Sequence, residues 1–184
     1  MANVLSYHPN LFDQVTCPPQ VYPDSNFLIS FYAPKHPWHN NAVSLLIELT
    51  SQKVEIHVSL LAMDEALYQL LIIFYEAQHG KASWERGKSG TLKKEPDVCS
   101  RFHSELSAFV TALQGLKNVR FIDIPTTCQN ILDDLMMNIS SYSLAPRDAC
   151  HLAILNSLGL KMIITNDSDF EKVHDLPIYV LHFW

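Results

Sequence analysis

Short apolar runs alternate along the chain with longer stretches in which apolar residues recur every three or four positions. Val21-Tyr22-Pro23 and the alternating Val54-Glu55-Ile56-His57-Val58 read as strands. Between them, Ser25 to Tyr32 carries Phe27, Leu28, Ile29 and Phe31 and predicts a buried helix stopped at Ala33-Pro34. His39 to Thr50, with Val43, Leu46, Ile47 and Thr50 on one face, predicts a second helix. Ser59 is placed to cap a strongly apolar helix running from Leu60 to Gln78. Val98 to Leu116 reads as one amphipathic helix, and Val119 to Ile124 as a strand closed by Pro125. Ile131, Leu132, Leu135, Met136 and Ile139 form a helical stripe over Thr127 to Ser140, and Pro146 to Leu158 predicts a helix ending at Gly159. Met162 to Thr165 and Ile178 to Leu181 complete the strands. Strands that alternate with helices predict an α/β fold: a single domain whose central, mostly parallel sheet is flanked by helices and binds ligands at the carboxyl ends of its strands.

Two segments fall outside this rhythm. Residues 1–20 lack periodicity and end in Cys17-Pro18-Pro19, which suggests an N-terminal extension lying on a domain that spans residues 21–184. Residues 79–97, HGKASWERGKSGTLKKEPD, read as a long basic loop, with five basic residues against three acids. Loops of that length are usually functional or mobile.

Composition narrows the function. The 184 residues suit one domain with its own core, and a formal net charge of −6 argues against a protein that grips nucleic acid by bulk electrostatics. Cys17, Cys99, Cys128 and Cys150 form no CxxC pair and no zinc-like spacing, so reduced thiols are expected. The first residues, MANVLSYHPN, do not read as a signal peptide, and the most apolar window, Ala66 to Tyr75, is too short to span a bilayer. A soluble cytoplasmic protein is therefore expected.

The chemistry lies in acids at predicted strand ends. Asp24 follows the first strand of the domain and Asp167 follows Ile163-Ile164-Thr165, so both belong at one edge of the sheet. Glu65 lies early in the helix after the second strand, and Asp148 lies in the first turn of its helix. Each has a structural explanation to set beside a functional one. Asp24-Ser25-Asn26 has the residue types of a helix cap, Ser168 and Glu171 have capping-box spacing, and Asp148 suits a helix dipole. Glu65 has the least structural excuse, because its helix is otherwise so apolar. Four carboxylates converging without basic partners suit a hard divalent cation, Mg2+ or Mn2+, and with it metal-dependent phosphodiester hydrolysis.

YPDSNFLISFY, VSLLAMDEALYQL, LAPRDACHLAIL and IITNDSDF are the segments by which the sequence resembles the PIN-domain family, the fold of VapC-type toxins and of several RNA-processing nucleases. The resemblance implies that Asp24, Glu65, Asp148 and Asp167 hold the metal, with Asp169 as an auxiliary acid and Asn26 and Thr165 as polar supports. It also implies an antitoxin protein as partner, and a homodimer. His151 is expected to be hydrogen-bonded within the fold, and Asp64 to face solvent or a basic neighbour. The 1–20 and 79–97 segments, and Pro23 in place of an aliphatic residue, depart from the family pattern.

The resulting expectation is an endoribonuclease, the toxin of a toxin–antitoxin pair, with RNA gripped locally. Lys81, Arg86, Lys88, Lys93 and Lys94 are the candidates for that grip, and Trp84 is a candidate to stack on a base. The alternative is a PIN fold used as a protein-interaction module with weak or no activity. A phosphatase of the haloacid dehalogenase type ranks last, since it would want Asp-x-Asp where this chain has Asp24-Ser25-Asn26.

Overall fold

The structure is a computed structural model and describes residues 3–9, 11–13, 15–87, 90–123 and 128–184. Among the described residues six strands form one sheet: β1 (Asn3–Ser6), β2 (Gln20–Pro23), β3 (Glu55–Ser59), β4 (Val119–Ile122), β5 (Met162–Ile164) and β6 (Tyr179–His182). Their order is β1-β6-β5-β2-β3-β4, and every pairing is parallel. The helices are α1 (Ser25–Tyr32), α2 (His39–Ser51), α3 (Leu60–His79), α4 (Thr91–Lys94), α5 (Val98–Arg101), α6 (His103–Gln114), α7 (Cys128–Tyr142) and α8 (Pro146–Ser157). The expected α/β architecture is therefore present, with a wholly parallel sheet.

Two compact units are distinguished by their contacts. One comprises residues 1–63 and 118–184, and the other residues 64–117. The first holds the whole sheet. Its strands β2 to β4 progress in one direction and β5 and β6 lie on the other side of β2, so the strand order reverses between β2 and β5. In open parallel sheets that reversal opens a crevice at the carboxyl ends, where ligands bind. Here Pro23 pairs with Ile164, which sets Asp24 beside the segment that follows β5.

Local chemistry explains the helix ends. Asp24 caps α1, and Ser59 Oγ accepts from Ala62 N at 3.1 Å at the start of α3. Pro146 opens α8, where its missing N–H leaves no bond unmade. After α8, Gly159 takes a left-handed φ of +66°, and Leu160 N donates to Leu155 O at 3.1 Å, closing the helix and turning the chain into β5. Tyr142 of α7, Leu152 and Leu155 of α8 and Leu144 between the two helices share one core cluster with Tyr22, Ile163 and Val180 of the sheet. On α1, Phe27 meets Phe183 edge-on at 5.4 Å.

Several boundaries depart from the sequence reading. The first residues were read as an N-terminal extension lying on the domain, and within them Asn3–Ser6 pairs with β6 as an edge strand. Val98–Leu116 is two helices rather than one. The chain breaks at Phe102, which is 2% exposed and packs with Tyr75, Trp84 and Val98 in the core of the second unit. Helix α7 runs past Ser140 to Tyr142 because that ring is buried beneath it. The 79–97 segment contains α4, and Tyr75 Oη donates to Glu95 Oε1 at 2.6 Å within the second unit. The expected ends at Ile124 and Thr127 lie outside the described residues. Among the described residues, no helix is long and apolar enough to cross a membrane.

Leu152 is fully buried in the α7–α8 core, so Leu152→Ala should cost about 3 kcal/mol, the usual range for a buried leucine. Urea unfolding checks this: the midpoint should fall while the slope stays constant.

Candidate functional site

The acids meet at the switch point. One carboxylate oxygen from each of Asp148, Asp167 and Asp169 lies within 4.8 Å of the others, and all three residues are half-buried. They come from two local devices. Asp148 sits in the first turn of α8, while Asp167 and Asp169 ride on the turn that leaves β5 and enters a 3-10 helix, Ser168–Lys172. Asp167 caps that helix, accepting from Asp169 N at 2.8 Å.

Asp24 is buried at 5% exposure and accepts three hydrogen bonds. Its Oδ1 accepts from Asn26 N at 2.6 Å, and its Oδ2 accepts from Asn26 Nδ2 at 3.1 Å and from the Thr165 hydroxyl. The same Thr165 oxygen accepts from Asp167 N at 2.9 Å. Asn26 and Thr165 are thus in direct contact with Asp24, and Thr165 ties it to the turn that carries Asp167. Asp24 lies outside the three-oxygen cluster but close enough to act on Asp148 electrostatically.

Crowding leaves its mark on Asp148. Burial, then the neighbouring charge of Asp167, push its carboxyl up to about 6; His151 pulls the other way, and Asp169 and Asp24 add to the rise. Lys172 Nζ lies 2.6 Å from Asp169 Oδ1, and that bond raises the lysine's own affinity for its proton. This cation beside the cluster was missed in the sequence, where its only signal was a position three residues after Asp169.

Beneath α8, His151 is 2% exposed and its Nδ1 lies 2.7 Å from Tyr22 Oη, which lies 2.7 Å from Ser59 Oγ. The expected internal role for His151 agrees with this chain of bonds. Glu65 is half-buried and Asp64 exposed, both in α3 on the second unit. Lys81, Arg86, Lys93 and Lys94 are exposed there, with Lys94 Nζ 2.5 Å from Glu85 Oε2. Lys88 lies outside the described residues. Trp84 is a correction: it is 8% exposed and packs edge-on to Tyr68 and Tyr75, so its face is committed to the core and offers no platform for a base.

The donor set fits a hard divalent ion. All its ligand atoms are carboxylate oxygens, and a separation of up to 4.8 Å is near the span of about 4.2 Å across an ion with bonds of about 2.1 Å. Raised as it is, Asp148 favours its neutral form in the folded chain. Its contribution to stability is therefore full below the unfolded pKa near 3.8 and is lost as pH rises through about 6. In a chelator, Asp148→Asn should be more stable than wild type at pH 7 by on the order of 1 kcal/mol, allowing for solvent screening of a half-exposed group. Denaturation at a series of pH values checks this: the gap should close as pH falls from about 6 to about 4.

The PIN domain family model matches residues 21–176. No curated protein sequence matches the chain. Among solved structures, the VapBC2 complex of Rickettsia felis bound to a DNA fragment from its promoter is similar at 13% identity and TM-score 0.57, over 89% of this chain and 98% of that one. VapC20 of Mycobacterium tuberculosis, a sarcin-ricin loop cleaving toxin, is similar at 12% identity and TM-score 0.53, over 86% and 98%. DNA-bound VapBC of Salmonella typhimurium is similar at 14% identity and TM-score 0.53, over 90% and 98%. At these identities the likeness is one of fold.

Proposed function

The chain belongs to the PIN domain family, and on that premise we propose that it is a Mg2+- or Mn2+-dependent endoribonuclease that hydrolyses RNA phosphodiesters. The observation that carries this reading is the meeting of Asp148, Asp167 and Asp169 at the sheet's switch point. A bound divalent ion would supply Lewis-acid stabilisation of phosphoryl oxygens and a more acidic water. Asp148, Asp167 and Asp169 are the residues to hold it, with Asp24 and Glu65 completing the set in this reading. Thr165 and Asn26 fix the Asp24 carboxylate, and Thr165 also fixes the backbone of Asp167. The reaction is hydrolysis, in which a water oxygen bonds to phosphorus as the ribose oxygen leaves. Lys172 is a cation already at the site and suits a substrate phosphate once Asp169 is otherwise engaged. Lys81, Arg86, Lys88, Lys93 and Lys94 remain the proposed wider RNA contacts.

The proposal extends to a cytoplasmic toxin that forms a homodimer and is held in check by an antitoxin protein. It is supported by the solved structures of like fold, two of which are of VapBC and one of a sarcin-ricin loop cleaving toxin. A second reading, a PIN fold kept as a protein-interaction module, is favoured by one observation. Asp24 is bonded as a helix cap and Asp169 is already paired with Lys172, so these acids have partners without a metal.

Calorimetric titration with Mn2+, run beside RNA cleavage, separates the two. Wild type should bind and cleave, and Asp148→Asn and Asp167→Asn should lose both. A folded wild type that binds no ion would leave the interaction module in front. Because Asp148 must shed its proton to act as a ligand, apparent affinity should fall as pH drops through about 6. Lys172→Gln removes the competing cation: an exposed pair contributes roughly 0.2–1 kcal/mol, so Mn2+ should bind up to about fivefold more tightly while KM for RNA rises.

A further inference from the structure

Asp167 and Asp169 share one turn, and both ends of that turn are fastened to a single side chain. The His182 ring is fully buried; its Nδ1 lies 2.7 Å from the Thr165 carbonyl oxygen and its Nε2 2.9 Å from Glu171 Oε1. Trp184 stacks on the ring, with centroids 3.9 Å apart and planes 13° from parallel. Two backbone donors reinforce the attachment: Thr165 N to Leu181 O at 3.0 Å, and Phe183 N to Asn166 Oδ1 at 2.8 Å.

Each of the two ring nitrogens faces one oxygen, the Thr165 carbonyl on one side and the Glu171 carboxylate on the other, so the ring ties the two ends of the turn together. A bridge of this kind opposes a definite force. Asp167 and Asp169 face Asp148 across a few ångströms, and like charges at that range push the turn outward. A ring that spans residues 165 to 171 resists the opening. Through Thr165 the restraint reaches two more acids, because its hydroxyl donates to Asp24 and accepts from Asp167 N.

We propose that His182 is a positioning residue for the acidic site: a buried bridge that keeps the turn from Thr165 to Glu171 closed and so sets Asp167 and Asp169 against Asp148. The proposal rests on the reading of these acids as a divalent-ion site. A histidine that merely fills the core would affect stability alone, whereas a positioning histidine affects the geometry of the folded site. The conservative partner change is informative here, since glutamine at residue 171 keeps an acceptor for Nε2–H and alanine does not.

The test compares His182→Phe, which keeps a flat ring against Trp184 but loses both hydrogen bonds, with Val180→Ala, a core loss on the same strand. Hydrogen exchange in the metal-free protein should show the Asp167 and Asp169 amides released in His182→Phe and not in Val180→Ala. Mn2+ affinity by calorimetry should fall about tenfold in His182→Phe, as when an outer hydrogen-bond partner of a metal ligand is lost. In RNA cleavage, kcat should fall more than KM rises. Glu171→Gln should retain the wild-type affinity, and Glu171→Ala should share the His182→Phe loss. If His182→Phe does not fold, the Glu171 pair carries the same comparison. Equal amide exchange in His182→Phe and Val180→Ala would overturn the proposal, as would equal losses in the two Glu171 variants. The exchange arm needs no metal, so a wild type that fails to bind Mn2+ would sink the functional reading while leaving the bridge to be decided on its own evidence.

Discussion

Repulsion among carboxylates is the constraint on which the arrangement of this edge depends. Three acids within 4.8 Å would separate if their backbones were free. They are not free, because parallel pairing of β2 with β5 places Asp24 beside Thr165, and one hydroxyl then bonds to Asp24 and to the backbone of Asp167. The sheet supplies rigidity, and the short polar side chains at its rim convert that rigidity into fixed positions for charge. Burial first, and then the neighbouring charge of Asp167, raise the Asp148 carboxyl to about 6.

Capping and chemistry turn out not to be rival explanations of the same residue. Asp24 caps α1 and Asp167 caps the 3-10 turn, as turn chemistry alone would suggest. Each cap bond also fixes the direction of a carboxylate. An acid that had to be held still beside others would gain from being tied to its own helix start, since the backbone N–H groups there are already ordered and otherwise unpaired.

Much of this was legible in the sequence where local rules prevail. Ser25–Tyr32 was marked by its cap and by Ala33-Pro34, and Pro146 and Gly159 bracketed α8. Asp167 was singled out because it follows an apolar strand, Asp148 because it lies in the first turn of a helix, and Asp169 through the family resemblance. Tertiary packing decided the rest. The break at Phe102 follows from where that ring is buried, and nothing in the Val98–Leu116 periodicity shows it. Trp84 in a polar, basic stretch read as exposed, but its burial depends on Tyr68 and Tyr75, distant in sequence. Asn3–Ser6 became a strand because β6 had an open edge, a fact belonging to the partner. His182 gave no signal, since its bonds reach back to residues 165 and 171 across an intervening loop.

The bond between Thr165 and Asp24 joins residues 141 positions apart. Closing so long a loop costs chain entropy before any contact repays it, and parallel sheets built from such closures fold slowly compared with helical bundles. During synthesis Asp24 and its cap emerge long before Thr165, Asp167 and the strand that ties them down. The half-made chain therefore carries Asp24 apart from the other acids, and the edge cannot be assembled until the segment that carries Thr165 and Asp167 has been made.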